Sequence, residues 1–162
     1  MKISTGRSSP FPSTRFAPQV PPIDPQANID EISSTEEDQQ RTRVLIVEDD
    51  FLIAMQTETA LTEAGFDVVG TATTAEEAIV LAKEQRPSLA VMDIRLASAR
   101  DGIDAARELF RELHVRCIFA TAHDDRHTRA RAEPFAPLGW LAKPYSMASL
   151  VALVMEARSK LD

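Results

Sequence analysis

Five side chains in this sequence have types and spacing that suit joint chemistry: the carboxylates of Glu48, Asp49 and Asp93, the hydroxyl of Thr121 and the ammonium of Lys143. Four of them directly follow a short apolar run, "VLIV" before Glu48, "LAVM" before Asp93, "CIFA" before Thr121 and "WLA" before Lys143, and Asp49 comes next after Glu48. Acids crowded at the end of a buried strand destabilise a fold unless a proton or a cation neutralises them. Carboxylate oxygens from two strands suit a hard octahedral ion such as Mg²⁺, or Mn²⁺, held at roughly 2.0–2.1 Å with waters completing its shell. A hydroxyl and an ammonium beside it suit the oxygens of a phosphoryl group. Asp93, the central acid, is the candidate nucleophile, since a carboxylate can form an acyl phosphate while positive groups spread the transferring charge. Asp50 reads instead as a helix N-terminal residue favoured by the helix dipole.

Those residues need a frame that brings strand ends together. From Arg43 onward, short apolar runs alternate with helical periodicity. Val44–Val47 reads as a strand apolar on both faces, as a central parallel strand should be. Ile53, Thr57, Ala60, Leu61 and Ala64 share one helical face, and Gly65 supplies a left-handed stop. "FDVVGTA" is predicted as an edge strand, and Thr74 with Glu77 has capping-box spacing at the head of the next helix, which Pro87 ends. "SLAVMD" is the third strand, and Ile103, Ala106, Phe110 and Leu113 mark the third helix. "RCIFATA" is the fourth strand, "DDRHTRARAE" a short, weakly apolar helix and "GWLA" the fifth strand. Ser146 caps a last helix with Leu150, Leu153, Val154, Ala157 and Leu161 inward. Five strands alternating with five helices require a doubly wound parallel α/β sheet with helices on both faces, because parallel strands need right-handed crossovers. Ligands in such sheets bind beyond the carboxyl ends of the strands.

Composition narrows the function. The chain has 162 residues, 44% apolar and 27% charged, enough for one domain with a real core. A net charge of −7 and a pI near 5.0 argue against general affinity for nucleic acid or anionic membrane. Cys117 is the single cysteine, so a disulfide framework or cysteine-rich zinc site is excluded, and its apolar neighbours predict a buried, inert thiol. With no apolar run near the roughly 20 residues that span a bilayer, a cytoplasmic protein is expected. Residues 1–41, first rich in Pro and Ser and then acidic, predict a disordered tail, leaving 42–162 as the folded domain.

"VLIVEDD", "AVMDIRL", "IFATA" and "WLAKPY" together resemble bacterial response-regulator receiver domains of the CheY-like family over about three quarters of the chain. The resemblance implies a flavodoxin-like sheet of order 2-1-3-4-5. It implies Glu48 and Asp49 as metal-binding acids with Asp93, Arg95 as the donor of a backbone carbonyl to the metal, and Asp93 as phospho-acceptor. Thr121 takes the place of the switch hydroxyl, Trp140 that of the switch aromatic, and Lys143 that of the phosphate-contacting lysine. Arg95 and His123 stand two residues beyond the acceptor and the switch hydroxyl, where side chains flank the path of attacking water. Two departures stand out: Ala97 replaces a frequent proline, and Trp140 is bulkier than the usual Tyr or Phe.

The implied molecule is a stand-alone receiver, since only Lys160 to Asp162 follow the last helix. It takes phosphate from a histidine kinase or phosphotransfer protein, and signals through an unknown downstream protein or passes phosphate on. It is not an enzyme beyond catalysing its own phosphoryl transfer and slow dephosphorylation. One rival is a receiver-like module that binds partners without phosphorylation, against which Asp93, Thr121 and Lys143 all speak. Another is a metal-dependent nucleic-acid enzyme of the Toprim kind, which needs a second acid that "MDIRL" lacks. His123 and His127 have i, i+4 spacing without further zinc ligands. Met147, Val151 and Met155 form a second stripe on the last helix, a candidate homodimer surface whose simpler reading is an extended core face.

Overall fold

In a computed structural model of the chain, residues 41–161 are described. The expected tail therefore lies, apart from Arg41, outside the described residues. Strands β1 (Arg43–Val47), β2 (Asp67–Ala72), β3 (Leu89–Asp93), β4 (Arg116–Thr121) and β5 (Gly139–Ala142) alternate with helices. The helices are α1 (Phe51–Glu63), α2 (Ala75–Gln85), α3 (Gly102–Leu113), α4 (Arg126–Ala132) and α5 (Met147–Arg158). All strands are parallel, in the order β2-β1-β3-β4-β5 that the resemblance implied. Val47 pairs with Met92, Asp93 with Ala120 and Thr121 with Ala142, so the carboxyl ends of the four inner and edge strands that bear the candidate residues finish level.

Local chemistry sets the ends of the helices. Asp50 caps α1 by accepting from the amides of Leu52 and Ile53, the role expected of it. Such a cap contributes about 1 kcal/mol. Gly65, at φ +89°, ends the helix in the left-handed region. Thr74 caps α2 by accepting from Glu77, but the Glu77 carboxylate reaches past Thr74 to the amide and hydroxyl of Thr73. The predicted box is therefore stretched by one residue. A reciprocal box forms instead at α3, where Asp101 and Asp104 each bond the other's amide. The predicted helix around "DDRHTRARAE" is α4 followed by a 3₁₀ turn, Glu133–Phe135, in which Pro134 follows Glu133.

The sheet divides two apolar layers. Leu45, Val47, Met92 and Phe119 face one layer with α2 and α3, while Val44, Ile46, Val91 and Ile118 face the other with α1 and α5. At about 1.5–3 kcal/mol for each large buried side chain, these layers outweigh surface ion pairs such as Arg43–Asp67, worth about 0–1 kcal/mol each. On α5, Leu150, Val154 and Ala157 are buried and Leu153 packs partly against the same layer; Leu161, expected on this helix, packs there too but lies beyond its end at Arg158. Met147 and Val151 join them, leaving only Met155 of the candidate dimer stripe exposed. Cys117 is buried and its thiol is pushed up to about 12 by that burial, in keeping with an inert core cysteine.

Candidate functional site

The acids gather where the level strand ends predict. Glu48, one residue beyond β1, keeps the strand's path because its amide donates to Ala72 O at 2.9 Å. Asp93 is the last residue of β3, and the next amide, that of Ile94, donates to Ala120 O. Carboxylate oxygens of Glu48, Asp49 and Asp93 lie within 4.8 Å of one another, with Glu48 and Asp93 buried and Asp49 exposed. Such a donor set, all oxygen and open on one side, fits a hard divalent cation that retains several waters. Among the described residues, His123 and His127 join no such group; His123 lies before α4 and not on it, so their spacing is not one helical turn.

Lys143 reaches in from the end of β5. Its Nζ lies 3.1 Å from Glu48 Oε2 and 3.1 Å from Asp93 Oδ2, so one ammonium spans acids from two strands. Its backbone is fixed by a hydrogen bond that the Lys143 amide donates to Thr121 O at 2.8 Å. Burial opposes the ammonium's charge, yet the hydrogen bond to Glu48 and the negative charge of Asp93 hold Lys143 above its ordinary value. Glu48 is raised, first by burial and then by the nearby Asp93, against the lowering pull of the Asp50 amide and Lys143. A buried acid that gives up its proton reluctantly needs positive charge beside it. Lys143 supplies one such charge, and a divalent cation would supply more.

The remaining predicted residues lie around this group without all pointing into it. Arg95 donates its amide to Asp93 Oδ1 at 3.2 Å, while its side chain is exposed. The buried Thr121 hydroxyl is turned to its own loop, donating to His123 O at 3.0 Å and accepting from His123 N at 3.1 Å. His123 itself is exposed. Trp140 is stacked on Phe119 with ring centroids 5.0 Å apart, and the Arg129 guanidinium lies over its ring at 4.9 Å. Aromatic stacking and contact with a cation both restrain the indole.

Two residues near the site escape sequence reasoning. A Cβ on Gly102 would fall 2.0 Å from Asp93 O, so the first residue of α3 rests directly on the backbone of Asp93. The dipeptide "DG" before an amphipathic run signals the helix start but not that contact. Arg129 belongs to a helix read as short and weakly apolar, and only the folded chain brings it over Trp140.

Comparison with known proteins agrees with the geometry. Residues 44–155 match the response regulator receiver domain family. The chain is 36% identical over 118 residues to the transcriptional regulatory protein PdtaR of Mycobacterium tuberculosis, covering 73% of this chain and 57% of that one. It is 39% identical over 118 residues to the phyllosphere-induced regulator PhyR of Methylorubrum extorquens, covering 72% and 43%. The chain thus spans about half the length of the curated relatives it matches. Among solved structures, the signal receiver domain of a modulated diguanylate cyclase from Desulfovibrio desulfuricans superposes with a TM-score of 0.69 at 36% identity, covering 75% of this chain and 97% of that one. With the parallel sheet, the acids at its carboxyl edge and the lysine from β5 already in place, these matches make the chain a member of the response-regulator receiver family.

Proposed function

We propose that residues 42–162 form a phosphorylatable receiver in which Asp93 accepts a phosphoryl group from a histidine kinase or histidine phosphotransfer protein. The observation that carries this reading is Lys143 Nζ at 3.1 Å from both Glu48 and Asp93, beside carboxylate oxygens grouped within 4.8 Å. An oxygen of Asp93 attacks phosphorus, the bond from phosphorus to the donor's imidazole nitrogen breaks, and the imidazole leaves with that electron pair. Glu48, Asp49, Asp93 and the Arg95 backbone carbonyl would hold Mg²⁺ or Mn²⁺, which supplies positive charge for the oxygens in transfer. Lys143 exchanges part of its contact with the carboxylates for a phosphoryl oxygen. Thr121 gives up its bonds to His123 and donates to another. That release is the switching event, since it frees the turn at His123.

The donor is read as a protein because an exposed apolar face adjoins the pocket. Phe51, exposed by 79%, Leu52 and Met55 project from the first turns of α1, directly after the metal-binding acids. Exposed apolar groups this close together mark an interaction surface. The acidic net charge supports partners other than nucleic acid or anionic membrane. Among the described residues no helix is long and apolar enough to cross a membrane, and the reading places the protein in the cytoplasm.

Acetyl phosphate with Mg²⁺ tests the proposal without knowledge of the kinase. One phosphoryl mass should be added to the intact chain, and Asp93→Asn or a chelator should abolish it. Labelling that survives in Asp93→Asn would refute the assignment, and a chain that never labels would favour a module that binds without phosphorylation.

A further inference from the structure

Helix α4 has little apolar hold on the domain, because only Ala132 among its residues is buried. Two arginines supply what packing does not. Arg129 pairs with Asp124, with Nη2 2.6 Å from Oδ2, and covers Trp140. Arg131 Nη1 lies 2.8 Å from Asp101 Oδ2, and its Nη2 is 3.9 Å from Asp104 Oδ1. Burial opposes the charge of Asp101, yet the bond from Arg131 and the Asp104 amide hold its carboxyl below the usual range.

Asp101 is more than a surface acid. Its carboxylate and amide close the reciprocal box with Asp104 that starts α3. The next residue, Gly102, donates to Ile94 O at 2.8 Å and has no room for a side chain against Asp93 O. The head of α3 is thus a backbone seat for Asp93. One oxygen of Asp101 serves the box and the other is gripped from α4.

We propose that Arg131 is a positioning residue for Asp93, acting through Asp101 and Gly102, so that the seating of α4 tunes phosphoryl acceptance. This inference rests on the reading that Asp93 is the acceptor. Anything that binds α4 and draws Arg131 from Asp101 slows labelling of Asp93. If phosphorylation loosens the same contact, the coupling runs both ways, because linkage between two equilibria is reciprocal.

The test times labelling of the full chain by acetyl phosphate with Mg²⁺ across a range of acetyl phosphate concentrations. Arg131→Gln should lower the maximal rate two- to five-fold while the half-saturating acetyl phosphate concentration stays unchanged. Arg131→Lys should restore at least half of the lost rate. Asp101→Asn, which retains a capping oxygen, should match Arg131→Gln, and the double variant should be no slower than either single one. Arg107→Gln, which removes an arginine whose one ion pair among the described residues is with Asp104, should label like the wild type. An unchanged rate in Arg131→Gln, or losses that multiply fully in the double variant, would overturn the inference while leaving Asp93 as acceptor. Failure of the wild type to label would overturn both.

Discussion

At the scale of single residues, the pocket is defined as much by backbone as by side chains. Arg95 and His123 touch it through their peptide groups, Arg95 N on Asp93 and the N and O of His123 on Thr121, and both residues are exposed. We propose that these two large donors shield the acyl phosphate from water. Neither is a carboxylate or amide that would orient a hydrolytic water, and the small Ala122 between Thr121 and His123 leaves a transferring protein room to approach. Arg95→Asn and His123→Ala should therefore lose phosphate several-fold faster after the donor is removed, equivalent to about 1 kcal/mol off the barrier. Identical decay in both variants and the wild type would sink the idea. Trp140 bears on the same scale: Phe119 stacks against its ring and the Arg129 guanidinium lies over it.

At the scale of elements, strands were legible wherever an apolar run met a charged or hydroxyl residue. The runs ending at Glu48, Asp93, Thr121 and Lys143 placed the site because parallel strands deliver their last residues to one edge. Helices with a broad apolar face were equally plain. Helix α4 was less so, since a helix that buries only Ala132 carries almost no period, and Asp124 and Asp125, read as its first residues, lie before it with Asp125 as its cap. Contacts between distant charges were not legible at all: Arg131 and Asp101 are 30 positions apart, and no spacing rule links them. The Glu77 side chain shows a finer limit, for its spacing from Thr74 was right while its flexible carboxylate chose Thr73. Turns with a steric demand were easier to foresee. A Cβ at Gly65 would meet nothing within 4 Å, so only the φ of +89° resists substitution. Gly65→Ala should then destabilise the domain by about 1 kcal/mol in urea unfolding, the cost of holding an L-residue in left-handed backbone. An unchanged midpoint would mean that the turn relaxes to another conformation.

At the scale of the molecule, we propose that residues 1–41 are an extension that adds no core, since their Pro- and Ser-rich and then acidic sequence has no amphipathic period. Deleting them should shift the melting temperature by less than about 3 °C. A larger fall would show that the extension packs on the domain. The sheet itself has a further consequence. Because it lies between two apolar layers, consecutive residues of β1 belong to separate neighbourhoods: Leu45 shares its surroundings with Phe119 and Leu109, Ile46 with Leu61 and Val154. Adjacency in the chain is thus a poor guide to which side chains feel each other's loss. A lesion at Leu89 is felt by the compartment beneath α1 and α5, with hydrogen-bonded backbone standing between it and the layer behind Trp140. Each compartment can therefore accumulate its own substitutions under its own steric rules, and the two meet only in the strands that carry Glu48, Asp93 and Thr121 to the edge.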